Sequence, residues 1–332
     1  MKFEERLKNA QKQSELTPEK RRFIAEKIHE LTRQGVGTGL NIGEKAPDFL
    51  LPSTSGRMVR LEDKLGKGPV VLSFYRGDWC PFCNIELESQ EEIIEHVKDA
   101  GAELFAIGPQ GRREAEKLIE RFNLSFELLM DERQEVIDEY RLGFQLPEEM
   151  NDILKQTGID LSVENANGLP RLPVPATYVL DSAGIVRAKF ASLEWWKRMN
   201  PLDIYEVVHS LSYFENIFRY APLGILIFDE EGNLQSANKT MEERFAPMLQ
   251  MVKEKEFLQQ LELSSPGIGT RLDDLREGSR DLIDLKWIHL PSAMLNEELV
   301  VDIVFSPLKF GQHVSGFCLL YTSDAADEED SV

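Results

Sequence analysis

Apolar and polar positions change period several times along this chain, and the changes divide it. Behind Thr17-Pro18-Glu19, which supplies an N-cap, a proline at the first helical position and an acid in the first turn, Ile24, Ile28 and Leu31 recur at helical spacing. The pattern stops at Gly35-Val36-Gly37-Thr38-Gly39, read as a flexible joint, so residues 1–40 form an N-terminal helical extension. Over residues 41–212 strand-like and helix-like runs alternate. Strands are expected at Val70–Tyr75, Glu103–Ile107 and Phe126–Met130, and helices at Pro81–Lys98, Arg113–Arg121 and Gln134–Tyr140. Two more strands, Thr177–Leu180 and Ile185–Phe190, flank Asp181-Ser182-Ala183-Gly184. Repeated strand–helix units predict an α/β domain whose parallel strands are covered by helices and whose last two strands form a hairpin. Residues 144–173 break the alternation and read as a long loop with room for one helix, and long loops in compact domains are often functional.

After Pro201 the pattern changes to five strand candidates: Leu223–Phe228, Leu234–Ala237, Asp281–Leu290, Glu298–Pro307 and Val314–Thr322. Short helices, Met241–Met248 and Lys253–Leu263, fall between the second and third. Leu299, Val301, Ile303 and Phe305 alternate onto one face, as a half-buried strand requires. Residues 213–323 are therefore expected to be an α+β domain with a five-stranded antiparallel sheet, and the acidic tail 324–332 to be disordered.

Composition narrows the function. At 332 residues, 42% hydrophobic and 29% charged, the chain has room for two ordinary cores and contains no apolar run that could span a bilayer. Its N-terminus lacks the apolar stretch of a signal peptide, so the expected location is cytoplasmic, with no membrane partner. A net charge of −20 disfavours nucleic acid as a direct partner.

Three cysteines do not make a disulfide framework, but Cys80 and Cys83 stand in Cys-Pro-Phe-Cys where a strand runs into a helix. Spacing alone leaves a redox couple, part of a metal site, or packing. With Cys80 at the N-cap and Pro81 at the first helical position, a Cys80 thiolate faces unpaired N–H groups and the positive helix end, which lowers its pKa. Cys83, one turn on, is placed to attack a mixed disulfide on Cys80. No second Cys-x-x-Cys or His pair completes a zinc set, and no metal is assigned. The redox reading makes Cys80 the nucleophile and Cys83 the resolving thiol.

The segments IGEKAPDFLLPSTSGRMVRLED, GPVVLSFYRGDWCPFCNIEL, GAELFAIGPQ and LPVPATYVLDSAGIVR resemble, in order and spacing, the peroxiredoxin-like branch of the alkyl hydroperoxide reductase/thiol-specific antioxidant (AhpC/TSA) family. The resemblance implies a thioredoxin fold and a thiol-dependent oxidoreductase. It implies that Pro175 is a cis-proline presenting backbone to substrate, and that Val174 contacts substrate together with Trp79, Pro81 and Phe82. Peroxiredoxins also carry a proline seven residues and a threonine three residues before the reactive cysteine; Ser73 and Gly77 stand there, and the family's arginine falls on Pro175. Glu86 matches the glutamate of Cys-x-x-Cys-x-x-Glu thiol reductases and is a candidate proton relay. Arg76 is a candidate stabiliser of thiolate or peroxide, and Arg198, whose usual partners are absent, reads as structural.

Residues 213–327, with Ala-Pro-Leu-Gly-Ile before a strand and Asn238 opening a helix, resemble a PAS domain, a class that senses ligands or dimerises. His289 and His313 are candidate haem ligands and Trp287 a candidate flavin platform, with packing the commoner role for each; Cys318 reads as buried and inert. No cofactor is required by the dithiol chemistry, and the PAS ligand is unassigned. The implied partners are a protein disulfide or hydroperoxide, an external thiol reductant and a second copy of the chain through the PAS-like domain. The alternative function is a redox sensor whose dithiol modulates that dimerisation or partner binding.

Overall fold

The computed structural model describes residues 2–13, 16–229, 233–253, 261–263, 265–277, 279–280, 282–291, 298–310 and 313–323. The expected acidic tail, 324–332, lies outside the described residues, as do the side chains of Trp287, His289 and His313. Contacts divide the chain into two units, Met1–Tyr213 and Phe214–Val332.

The first unit opens with α1 (Phe3–Gln13) and α2 (Pro18–Arg33). Thr17 Oγ1 accepts from Lys20 N at 3.3 Å and starts α2, whose Ile24 and Ile28 are buried. Two short strands, β1 (Leu50–Pro52) and β2 (Met58–Arg60), pair antiparallel ahead of β3 (Val70–Phe74). Then follow α3 (Pro81–Glu91), α4 (Ile94–Asp99), β4 (Glu103–Gly108), α5 (Arg112–Phe122), β5 (Glu127–Met130) and α6 (Glu135–Glu139). The single helix expected over Pro81–Lys98 is thus two, broken at Ile93.

The segment read as one long loop is built: β6 (Gly143–Gln145), α7 (Glu148–Gln156), α8 (Leu161–Glu164) and β7 (Arg171–Pro173), with β6 and β7 paired antiparallel. Its few apolar residues bury against the extension rather than the sheet: Leu146, Met150, Leu161 and Leu172 cluster with Ile24 and Ile28 of α2. At about 1.5–3 kcal/mol for each large apolar side chain fully buried, this satellite core holds both segments in place.

β8 (Ala176–Leu180) and β9 (Val186–Ala191) complete a sheet of order β5-β4-β3-β8-β9, in which β3, β4 and β5 pair parallel and β8 pairs antiparallel with both β3 and β9. All five residues of β3 are buried, as a central strand covered on both faces requires.

The glycine stretch before the sheet is packed rather than a free joint. Gly37 has φ +64, and a Cβ there would lie 2.2 Å from Cγ2 of Val174. Two expectations about the segment it meets are corrected. Val174 is fully buried, in the cluster of Leu40, Leu142 and Tyr178, with its N–H donating to Leu142 O at 2.8 Å. Its side chain therefore has no face left for substrate. Pro175 is buried as well, its carbonyl accepts from Ser192 N at 3.3 Å, and no cis peptide bond occurs among the described residues, so the Val174–Pro175 bond is trans. The trans form is the intrinsically favoured one for an X–Pro bond.

After α9 (Pro201–Tyr220), the second unit contains β10 (Gly224–Phe228), β11 (Leu234–Ala237), α10 (Lys239–Arg244), α11 (Ala246–Lys253), α12 (Ile268–Arg276), β12 (Ile283–Pro291), β13 (Glu298–Phe310) and β14 (His313–Ser323). Its sheet, ordered β11-β10-β14-β13-β12, is antiparallel throughout. Val301, Ile303 and Phe305 are buried in one core, as their alternation predicts. Asn238 accepts from Ile225 N at 2.9 Å and Met241 N at 3.1 Å, joining β10 to the start of α10. Cys318 is half-buried rather than buried, and burial pushes its thiol up to about 11, so it is protonated at neutral pH.

Candidate active site

β3 ends at Phe74 and α3 begins at Pro81, so the turn between them carries Arg76, Trp79 and Cys80, and the first turn of α3 carries Pro81, Phe82 and Cys83. Two reciprocal bonds hold the turn: Asp78 N donates to Gln110 Oε1 and Gln110 Nε2 donates to Asp78 Oδ1, both at 2.7 Å. Cys80 is the N-cap of α3, extended at φ −88 and ψ 111, and its carbonyl accepts from Asn84 N at 3.0 Å. Gly77 has φ +154, and a Cβ there would lie 2.4 Å from Nε1 of Trp79. A threonine at 77 would therefore clash with the indole, which explains the departure from the peroxiredoxin pattern at that position.

Although the two cysteines stand where a strand runs into a helix, Cys80 is 1% and Cys83 0% exposed. The extension and the 144–173 segment cover it. The two thiols interact directly and unequally. Burial raises the pKa of Cys80, but hydrogen bonding from Cys83 and the charges of Arg76 and Arg198 outweigh it and bring the thiol down to about 6. Burial and the neighbouring Cys80 sulfur push Cys83 well above the ordinary thiol value. At neutral pH the arrangement is a Cys80 thiolate accepting from a Cys83 thiol.

Cys83 sits in a network that the sequence reading only half found. Its sulfur accepts from Arg76 N at 3.4 Å and from Arg198 Nη2 at 3.3 Å. Arg198 Nε donates to Glu86 Oε2 at 2.7 Å, and both side chains are buried, so Arg198 belongs to the site rather than to a structural role elsewhere. Glu86 Oε1 accepts from Thr177 Oγ1 at 3.4 Å. Burial raises the Glu86 carboxyl to about 7 despite the Arg198 charge, which leaves it near balance between carboxylate and acid at neutral pH. The signal available in the sequence was the run Trp195-Trp196-Lys197-Arg198, where large aromatics surround a cation after the last strand. Below the dithiol, Gln90 Nε2 donates to Ser73 Oγ at 2.9 Å.

On the other side of Cys80 lies a cavity of about 750 Å³, within the range of small-molecule sites. Arg76, Trp79, Cys80, Pro81 and Phe82 line it, as do Ile24 from α2, Met150 and Ile153 from α7, and Trp195 and Trp196. Arg76 is stacked between Trp79 and Trp195, 5.0 Å from each ring centroid. Of the expected substrate contacts, Trp79, Pro81 and Phe82 meet at this cavity and Val174 does not. Among the described residues no group of three or more His, Cys, Asp or Glu side chains is placed to hold a metal, and no helix is long and apolar enough to cross a membrane.

The mixed five-stranded sheet with two cysteines at the N-terminus of a helix defines a thioredoxin-like domain. Residues 42–189 match the AhpC/TSA family. The chain is 36% identical over 107 residues to the thiol-disulfide oxidoreductase ResA of Geobacillus kaustophilus (strain HTA426), covering 32% of this chain and 60% of that protein. It is 32% identical over 101 residues to the putative peroxiredoxin bcp of Coxiella burnetii (strain RSA 493 / Nine Mile phase I), covering 30% of this chain and 66% of that protein. The crystal structure of peroxidoxin BcpB from Mycobacterium tuberculosis aligns at 20% identity and a TM-score of 0.41, over 53% of this chain and 97% of its own. The chain spans about 60% of the length of the ResA relatives.

Proposed function

We propose that the first unit is an enzyme of thiol–disulfide exchange, with Cys80 the nucleophile and Cys83 the resolving thiol. The observation that carries this reading is the asymmetry of the pair: a Cys80 thiolate at a helix N-terminus accepting from a protonated Cys83. Attack by Cys80 on a substrate disulfide forms a mixed disulfide and releases one substrate thiolate. The charge on Cys80 that held the Cys83 proton is then gone, while Arg198 and the Arg76 N–H still favour a Cys83 thiolate. Glu86, raised to about 7, lies one turn beyond Cys83 and accepts that proton. Cys83 attacks Cys80, the second substrate thiolate leaves, and an external thiol reductant later restores the dithiol. A hydroperoxide can replace the disulfide in the first step, but Gly77 and Ser73 supply none of the side-chain polarisation given by the peroxiredoxin threonine.

The test is single-turnover oxidation of the reduced protein by hydroxyethyl disulfide and by hydrogen peroxide, followed by mass as the thiol hydrogens are lost. Oxidation faster with the disulfide and abolished in Cys80→Ser supports the reading. A preference for peroxide makes the protein a peroxidase, and no reaction with either removes the enzyme reading.

A second reading is favoured by one observation, the five antiparallel strands of the second unit with α10, α11 and α12 between the second and third. That arrangement supports a PAS-like domain, through which a second copy of the chain or a protein partner would read the state of the dithiol. Redox-dependent sedimentation of the full chain distinguishes this sensor role from catalysis alone.

A further inference from the structure

The cavity over Cys80 contains a charge pattern opposite to that of the chain. Overall the protein has 58 acidic and 38 basic residues. Among the described residues lining the cavity there is no Asp or Glu, while Lys12, Arg21 and Arg76 all line it. Arg76 is the unusual one. It is 6% exposed, no carboxylate pairs with it among the described residues, and its Nε has no hydrogen-bond partner. Nε1 of Trp79 has none either, but it is turned toward Gly77. A buried guanidinium without an acceptor is costly, and Arg76 lines the cavity, so its guanidinium is the place where an acceptor from outside belongs. The Cys80 thiolate already balances part of the Arg76 charge, so an incoming anionic group bound by Arg76 lies next to the nucleophile. The rest of the wall, including Ile24, Met150, Ile153 and Trp196, is apolar.

We propose that this cavity is the substrate pocket for a small disulfide bearing a carboxylate within a few bonds of its sulfur and an extended apolar group. The proposal rests on the thiol–disulfide reading above and specifies its substrate class. The carboxylate binds the Arg76 guanidinium, the apolar group fills the space between α2 and α7, and the disulfide sulfur faces Cys80. A disulfide on a folded protein is disfavoured because Cys80, 1% exposed, sits at the wall of a covered cavity. In the reaction the Cys80 thiolate forms a bond to one substrate sulfur as the substrate S–S bond breaks, and the other half leaves as a thiolate that takes a proton from water. Cys83 gives its proton to Glu86 and displaces the first half from Cys80. The substrate gains two electrons and the protein dithiol loses two, to be returned by a thiol reductant.

Bis-N-octanoylcystine meets these requirements. Its dimethyl ester lacks the charge, bis-N-acetylcystine lacks the apolar group, and hydroxyethyl disulfide lacks both. Single-turnover oxidation of the reduced full chain should be about tenfold or more faster with the octanoyl acid than with its ester or with the acetyl acid. Arg76→Gln should erase the preference for acid over ester, and Ile153→Glu in α7 the preference for the longer chain. Should a variant fail to fold, the comparison among probes on the unaltered protein decides alone. Equal rates for all four probes, each dependent on Cys80, overturn the pocket and leave thiol–disulfide exchange standing. Faster reduction of insulin than of the octanoyl acid also overturns it. If no disulfide reacts, the activity reading fails and the pocket proposal with it.

Discussion

The two sides of the dithiol are built on opposite principles. Behind Cys83, charges are paired: Arg198 and Glu86 are both buried, joined at 2.7 Å, and Arg198 also donates to the Cys83 sulfur. In front of Cys80, Arg76 is equally enclosed but has two indole faces and no carboxylate among the described residues. A pair that satisfies itself holds geometry and stores a proton. A cation with donors to spare stabilises a thiolate and can receive an anion. The contrast separates the side of the site whose charges satisfy one another from the side whose cation lines a cavity.

Several substitutions test that division, and the largest effect is at the nucleophile. Cys80→Ser should lower disulfide turnover by about a thousandfold or more, whereas Cys83→Ser should still allow the first attack and accumulate a mixed disulfide visible by mass. If both variants lost the first attack equally, the assignment of unequal roles would be wrong. Next is Arg198→Met, which leaves the buried Glu86 protonated and without its partner and should cost about 1–3 kcal/mol in denaturant unfolding at neutral pH. Arg76→Met, by contrast, removes an unpaired cation and should cost no more than about 1 kcal/mol. Equal losses for the two arginines would erase the comparison.

Gly77→Thr should destabilise by about 1–3 kcal/mol, from its backbone angle and the clash with Trp79, and disturb the Cys80 side first. A thermal melt and the rate of Cys80 alkylation read both effects. The smallest expected effect concerns pH. Because the Cys80 pKa lies below that of a free thiol, alkylation by iodoacetamide should rise with pH through about 6 and level off above it. In Arg76→Met the midpoint should move upward, since a charge that favours the thiolate is gone. An unchanged midpoint would mean that Arg76 does not stabilise the thiolate.

Legibility from sequence varied with how local the cause was. Alternation placed β3, β4, β5 and the hairpin, because each central strand buries its own side chains. The segment 144–173 was opaque: its apolar residues bury against α2, more than a hundred positions away in sequence, and no periodicity within the segment announces that partner. Arg198 was misread for a related reason. Its usual neighbours are missing, and the carboxylate it meets is on α3.

By itself, the sequence determined where the dithiol stands. Pro81 has no N–H to lose at the start of a helix, so it sets Cys80 at the N-cap and Cys83 one turn later, whatever surrounds them. The tertiary structure alone decided what those positions mean. It turned Val174 under the glycine stretch and away from the cavity, buried Glu86 against Arg198, and left Arg76 without a carboxylate partner beside that cavity. The physical reason is that backbone caps depend on adjacent residues, whereas desolvation and charge pairing depend on which distant segments exclude water from the same small volume.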